Sequence, residues 1–234
     1  KTPPSAGKKE SATAEAWSEI KRQPLLTLFL LAVPVSCIHQ FYFVHTAGFL
    51  GDIQNQAEGF VEKVNAVFGV GGGGLMTIGQ MSEIVVLGCM PLLTKKFSRK
   101  HLLGIGLLAY AARMALFANA EAVGFGGVLI GVAMHGLCFG CFIFVAFMIV
   151  DEETSGNVRA SAQSLFNLVI VGIGIIVGSK IASAVADLAT AADGEINFTH
   201  LFSYPMWAAL ICFAALVLKY PNGRVNLKTT HDNN

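Results

Sequence analysis

Charge is what this sequence has least of. Asp, Glu, Lys and Arg make up only 13% of its 234 residues, while 54% are apolar. Soluble domains carry about 25% charge, so an ordinary water-facing globule is excluded. Cysteine is sparse too, and Cys37, Cys89, Cys138, Cys141 and Cys212 all fall inside apolar runs. A disulfide framework would place them in the exposed loops of a small secreted domain. Cys138 and Cys141 have the CxxC spacing, but no second pair or histidine cluster completes a zinc site, and on a helix they simply share a face. P-loop, HExxH and GxSxG motifs and acidic metal clusters are missing as well. No enzyme activity, cofactor, metal or nucleic-acid partner is expected.

Long apolar runs are present instead. A membrane-spanning helix needs about 20 mostly apolar residues, and six stretches qualify: about 24–50, 65–94, 102–119, 122–150, 161–187 and 201–220. The expected architecture is an all-α membrane protein with a six-helix bundle over 23–221, preceded by a polar linker over 1–22 and followed by a tail over 222–234. The linker "KTPPSAGKKESATAEAW" is neither a signal peptide nor a core segment. With no Met at its start, the chain reads as a piece of a longer protein.

Charge placement gives the orientation. With both termini on the cytoplasmic side, thirteen of the sixteen Lys and Arg residues lie inside, Lys63 alone lies outside, and Arg113 and Lys180 fall within spans. Such asymmetry follows the positive-inside rule and predicts an integral protein of the cell (inner) membrane. Glycine is frequent in the spans, where small residues let helices approach closely. The run Gly71 to Gly74, within "GVGGGG", predicts an irregular or flexible lead into the second span.

Inside the second span, "TIGQMSEIVVLGCMP" carries Glu83. A charge at the centre of a membrane helix costs roughly 2.5–3.5 kcal/mol and commonly marks an ion or substrate path. Gln80 precedes Glu83 by three residues and shares its face, and Thr77 extends the stripe one turn. Arg113 in the third span is the expected ion-pair partner of Glu83. In one reading the pair only permits two charges to be buried; in the other, Glu83 binds substrate and exchanges a proton. His135 and Phe139 share a face of the fourth span and offer hydrogen bonding and stacking. In the first span, "SCIHQFYFVHT" packs His39, Gln40, Tyr42, Phe43, His45 and Thr46 into a polar and aromatic patch. Asp151, Glu152 and Glu153 read as solvated charge.

Two segments, "GQMSEIVVLGCMPLLTKKFSRKHLLGIGLLAYAARMALFA" and "HGLCFGCFIFVAFMIVDEETSGNVRASAQSLFNLV", resemble the C-terminal half of bacterial nucleoside:proton symporters of the major facilitator superfamily. The diagnostic pieces are Gln80 to Glu83, the span-three "RMALFA" and "VRASAQSLF". The resemblance implies a twelve-helix transporter of two six-helix halves, working by alternating access with substrate held between them. The N-terminal half would then be missing here. Gln80 and Glu83 match the family's nucleoside-binding pair, and His135 and Phe139 its aromatic pair. His135 stands where the family has Tyr, and Gly140 where it has Asp. Gln40 or His39 stands in for a Gln/Asn pair of the family.

The expected function is therefore half of a proton-coupled nucleoside transporter, with nucleoside, proton and lipid bilayer as partners. The alternatives are the same fold carrying a sugar or another small polar solute, and a complete six-helix membrane scaffold.

Overall fold

The computed structural model describes residues 12–56 and 59–222; most of the linker and tail, and the basic residues there, lie outside the described residues. Eight helices run through the described residues: α1 (Ala12–Ile20), α2 (Leu25–Gln56), α3 (Phe60–Phe68), α4 (Gly72–Lys96), α5 (Arg99–Ala118), α6 (Ala120–Glu153), α7 (Arg159–Ala189) and α8 (Phe198–Lys219). Six of them, α2 and α4 to α8, are long and apolar enough to cross a membrane. At 1.5 Å per residue, the 32 residues of α2 span roughly 48 Å, well beyond the ~30 Å hydrocarbon layer.

Two departures from the sequence reading involve short helices. Residues 12–20 form α1, whose Ala16 and Ile20 are buried in the core. Residues 60–68 form the separate helix α3, so the second span starts at Gly72 instead of near 65. Between α3 and α4 the chain is irregular: Gly69 and Gly71 have φ of 80° and 102°, a region open to glycine without steric cost. This junction is tied down by Gln54 of α2. Its amide accepts from Gly71 N–H at 2.8 Å, donates to the Gly69 carbonyl at 3.0 Å, and also bonds Asn65.

α5 packs along α8, and α2 along α7. The core between them is aliphatic and aromatic; Phe202 meets Phe49 and Phe117 edge to face, and those two rings are tilted against each other. α6 is interrupted at Gly124 (φ 64°, ψ −178°) and contains a π-helical turn over Phe139–Phe144. A second π-helical turn, Leu168–Ile173, lies in α7. Such turns re-aim the side chains around them and often occur at functional sites.

The end of the bundle holding the short polar connectors carries two ion pairs. Arg99 grips Glu152 with two hydrogen bonds, and Arg159 Nε lies 3.5 Å from Asp151. Glu19 of α1 accepts from the backbone N–H and hydroxyl of Ser155 at 3.0 and 2.7 Å. Asp151 and Glu152 are solvent-exposed, as expected from sequence, and also take part in these surface ion pairs. Lys100 closes the end of α8 by donating to the carbonyls of Val217 and Tyr220 and to Asn222 Oδ1.

α4 joins the bundle through a close crossing with α6. A Cβ on Gly136 would lie 2.5 Å from the Ser82 carbonyl and 2.7 Å from Glu83 N, and one on Gly79 would meet His135 Cβ at 3.0 Å. Replacing Gly136 by Ala should therefore force the helices apart, costing about 1–3 kcal/mol. Gly88→Ala, with nothing within 4 Å of the added Cβ, should be neutral. Thermal unfolding of the two variants in detergent checks this; equal melting would contradict the close crossing.

Candidate functional site

The glycine crossing sets the position of Glu83. Ser82 donates to the Gly79 carbonyl at 2.7 Å and accepts from the Gly136 N–H at 3.0 Å, locking the register of α4 against α6. The next residue, Glu83, lies near the middle of α4 and turns toward α6. Its Oε2 sits 3.5 Å from His135 Nε2, with 23% of the Glu83 side chain exposed and 4% of His135. On the other side of the ring, Arg113 Nη1 lies 3.1 Å from His135 Nδ1.

The imidazole thus stands between the two charges, where the sequence had led us to expect a direct Glu83–Arg113 ion pair. The cause is the packing order. The α6 segment around His135 packs against both α4 and α5, which touch each other little. Arg113 is completely buried, with its guanidinium carbon 4.0 Å from the Tyr42 ring centre and 5.2 Å from that of Tyr110. Ring faces attract cations, most strongly when water is excluded. Its Nε and Nη2 have no hydrogen-bond partner, nor does the buried Tyr42 hydroxyl.

His39 joins the same cluster. Its ring stacks on His135 at 5.3 Å and 27°, and its Nδ1 lies 2.7 Å from the Tyr110 hydroxyl. Tyr42 stacks on His135 at 5.1 Å and 25°. Phe43 stands edge-on to both histidines, and Phe139 lies 6.2 Å from His39. The structure therefore brings together His39, Glu83, Arg113, His135 and Phe139. Gln80 is exposed one turn before Glu83, on the same stripe as the exposed Thr77.

Gln40 goes elsewhere. It donates to Ser179 Oγ at 3.1 Å in the seam between α2 and α7, because adjacent helical residues point about 100° apart. His45 occupies that seam too, with Nε2 3.0 Å from the Ala182 carbonyl. Sequence reasoning missed Tyr110 and Ser82. Tyr110 precedes Arg113 by three residues and shares its face, a signal that was legible; the backbone role of Ser82 was not.

The partly open face thus carries the Glu83 carboxylate and the Gln80 amide, with the buried His135 imidazole behind them.

Comparison with known proteins follows this geometry. A model of the family described as "Nucleoside H+ symporter" matches residues 1–223. Xanthosine permease of Escherichia coli (strain K12) is 26% identical over 208 residues, covering 85% of this chain and 48% of that protein. Nucleoside permease NupG of the same organism is 29% identical over 155 residues, covering 64% and 37%. A crystal structure of nucleoside transporter NupG superposes with a TM-score of 0.74 at 22% identity, covering 93% of this chain and 54% of that one. The chain thus spans about half, or less, of the relatives it matches, and the shared fold is the six-helix arrangement of half a major-facilitator transporter.

The contact between His135 and Arg113 makes a direct prediction. His135→Phe removes the acceptor and leaves all three buried guanidinium nitrogens unpaired, lowering stability by about 1–3 kcal/mol. Adding Arg113→Met should recover much of the loss, because the buried guanidinium is then gone. A thermal double-mutant cycle in detergent that shows simple additivity would refute the contact.

Proposed function

The chain belongs to the nucleoside H+ symporter family, and from that premise we propose that it is the C-terminal half of a proton-coupled nucleoside transporter working by alternating access. The observation that carries this reading is the placement of Glu83. A carboxylate at the middle of a membrane helix turns inward, toward an imidazole, and remains partly open. A residue serving only to neutralise Arg113 would contact the guanidinium. Glu83 does not; it is kept available for a ligand.

In this proposal the nucleoside lies against α4 and α6. Gln80 and Glu83 hydrogen-bond it, His135 adds a donor, and Phe139 and His39 supply ring faces for the base. Gln40 supports the wall from the α2–α7 seam. Glu83 takes up and releases the coupling proton, with Arg113 acting on it through His135. The bare side of α4 faces the other six-helix half, and both termini are cytoplasmic in the inner membrane. The matching relatives are named as nucleoside and xanthosine permeases, which favours nucleosides over the sugar alternative.

Glu83→Gln in the full-length transporter tests the coupling. Nucleoside binding should persist, while uptake driven by an imposed proton gradient should fall at least about tenfold, the scale of one lost charge-assisted hydrogen bond. Normal gradient-driven uptake would sink the role given to Glu83. Inhibition of labelled uridine uptake by other nucleosides, with sugars without effect, is the expected competition result.

A further inference from the structure

We propose that Arg113 is a positioning residue that holds His135 in the tautomer with its hydrogen on Nε2. The imidazole then offers a ligand one fixed donor beside the Glu83 carboxyl. Arginine has five N–H donors, no acceptor and a permanent charge. At 3.1 Å from Arg113 Nη1, His135 Nδ1 can only be the bare nitrogen that accepts. A hydrogen on Nδ1 would set donor against donor, with a fully buried cation alongside. The remaining hydrogen is on Nε2, the nitrogen that faces Glu83.

The packing fixes the direction of that N–H as well as its existence. His39 and Tyr42 stack on the His135 ring at 27° and 25°, so the ring cannot turn without displacing α2. At 3.5 Å from Glu83 Oε2, the N–H is beyond good hydrogen-bond distance and is not consumed by the carboxyl. The titratable and charged groups in contact with this ring are His39 and Tyr42 of α2, Glu83 of α4 and Arg113 of α5. Among them, Arg113 makes the hydrogen bond to Nδ1.

The result is a donor and an acceptor side by side. The carboxyl keeps an acceptor oxygen whether or not it carries a proton. Their complement is a ring edge with an acceptor next to a donor, as in the carbonyl and ring N–H of a lactam base such as uracil or hypoxanthine. This specificity rests on the nucleoside reading above; the tautomer does not.

Two experiments on the full-length transporter separate them. Nitrogen-15 NMR of labelled histidine, with the His135 signal identified by its loss in His135→Phe, should show a neutral ring protonated on Nε2 at neutral pH. It should do so equally in Arg113→Lys, which retains a donor-only cation, and turn into a tautomer mixture in Arg113→Met. An Nδ1-protonated or doubly protonated ring in the wild type overturns the proposal, even if Arg113→Met does not fold.

Uptake of uridine and of its 3,4-dihydro analogue, in which a CH2 replaces the 4-carbonyl and the adjacent ring N–H is kept, is the second measurement. The analogue's KM should be about tenfold higher in the wild type and in Arg113→Lys, the scale of one hydrogen bond. In Arg113→Met the uridine KM should rise to meet it. A gap that persists in Arg113→Met refutes the specificity role. An Nε2-protonated ring in a protein that takes up neither compound would retain the tautomer and discard the nucleoside reading.

Discussion

A buried guanidinium without a carboxylate in contact is the constraint around which the rest of this bundle is arranged. Removing an unpaired ion from water costs several kcal/mol even after relaxation, so Arg113 must be compensated by other means. The compensation comes from the faces of Tyr42 and Tyr110 and from the lone pair of His135 Nδ1. Those three residues sit on α2, α5 and α6, and satisfying one cation therefore holds three helices in register. α4 is tied to the same centre less directly, through Ser82 and the glycine crossing. Had Glu83 met Arg113 head-on, the pair would have been self-contained. With the imidazole as spacer, the cation is held and the carboxylate remains free to meet something else.

The helices differ sharply in how much of their surface the bundle covers. In the apolar window of α5, 67% of the residues are buried, against 17% in that of α4. The bare surface of α4 includes Met81, Ile84, Val85 and Leu92, along with the polar stripe of Thr77 and Gln80. Polar groups inside a membrane face a partner or a water-filled space, because lipid cannot satisfy them. A face with this stripe is one that meets a partner or water in place of lipid. At the far end, Arg99–Glu152 links α5 to α6 and Glu19–Ser155 links α1 to the connector that follows α6.

Much of the fold was legible because a bilayer imposes a length and a composition on every span. The short helices were not. α1 and α3 have nine residues each, too few for a clear hydropathy signal, and their burial depends on neighbours that periodicity does not reveal. Glu83, Gln80, His135 and Phe139 stood out because spacing alone puts them on shared faces. Which helix lies between which is a tertiary property, and so the spacer role of His135 was hidden while the two charges around it were plain. His39 and Gln40 show the same limit. One residue apart, they point into different seams, and choosing between them required knowing that α7 packs against one side of α2. The acidic cluster at the end of α6 is solvent-exposed as its sequence suggested, but the pairing of Glu152 was hidden because its cation, Arg99, lies 53 residues earlier.

These packing relations divide the labour within the site. α2 and α5 contribute groups that are stacked, bonded and buried, and that aim the His135 ring. α4 and α6 display the groups that a ligand would touch. Local opening is easiest where few apolar contacts are made, and of the helices around the site α4 is the least covered. Its crossing with α6 depends on glycines and one serine hydroxyl, with no interlocking side chains at the closest approach. A small displacement there would change the 3.5 Å separation between carboxyl and imidazole while leaving the Arg113–His135 contact intact. The imidazole is thereby anchored to the well-covered part of the bundle and the carboxyl to its least covered helix, so that a shift of this one helix would change the spacing between them without disturbing the contacts that hold the buried charge.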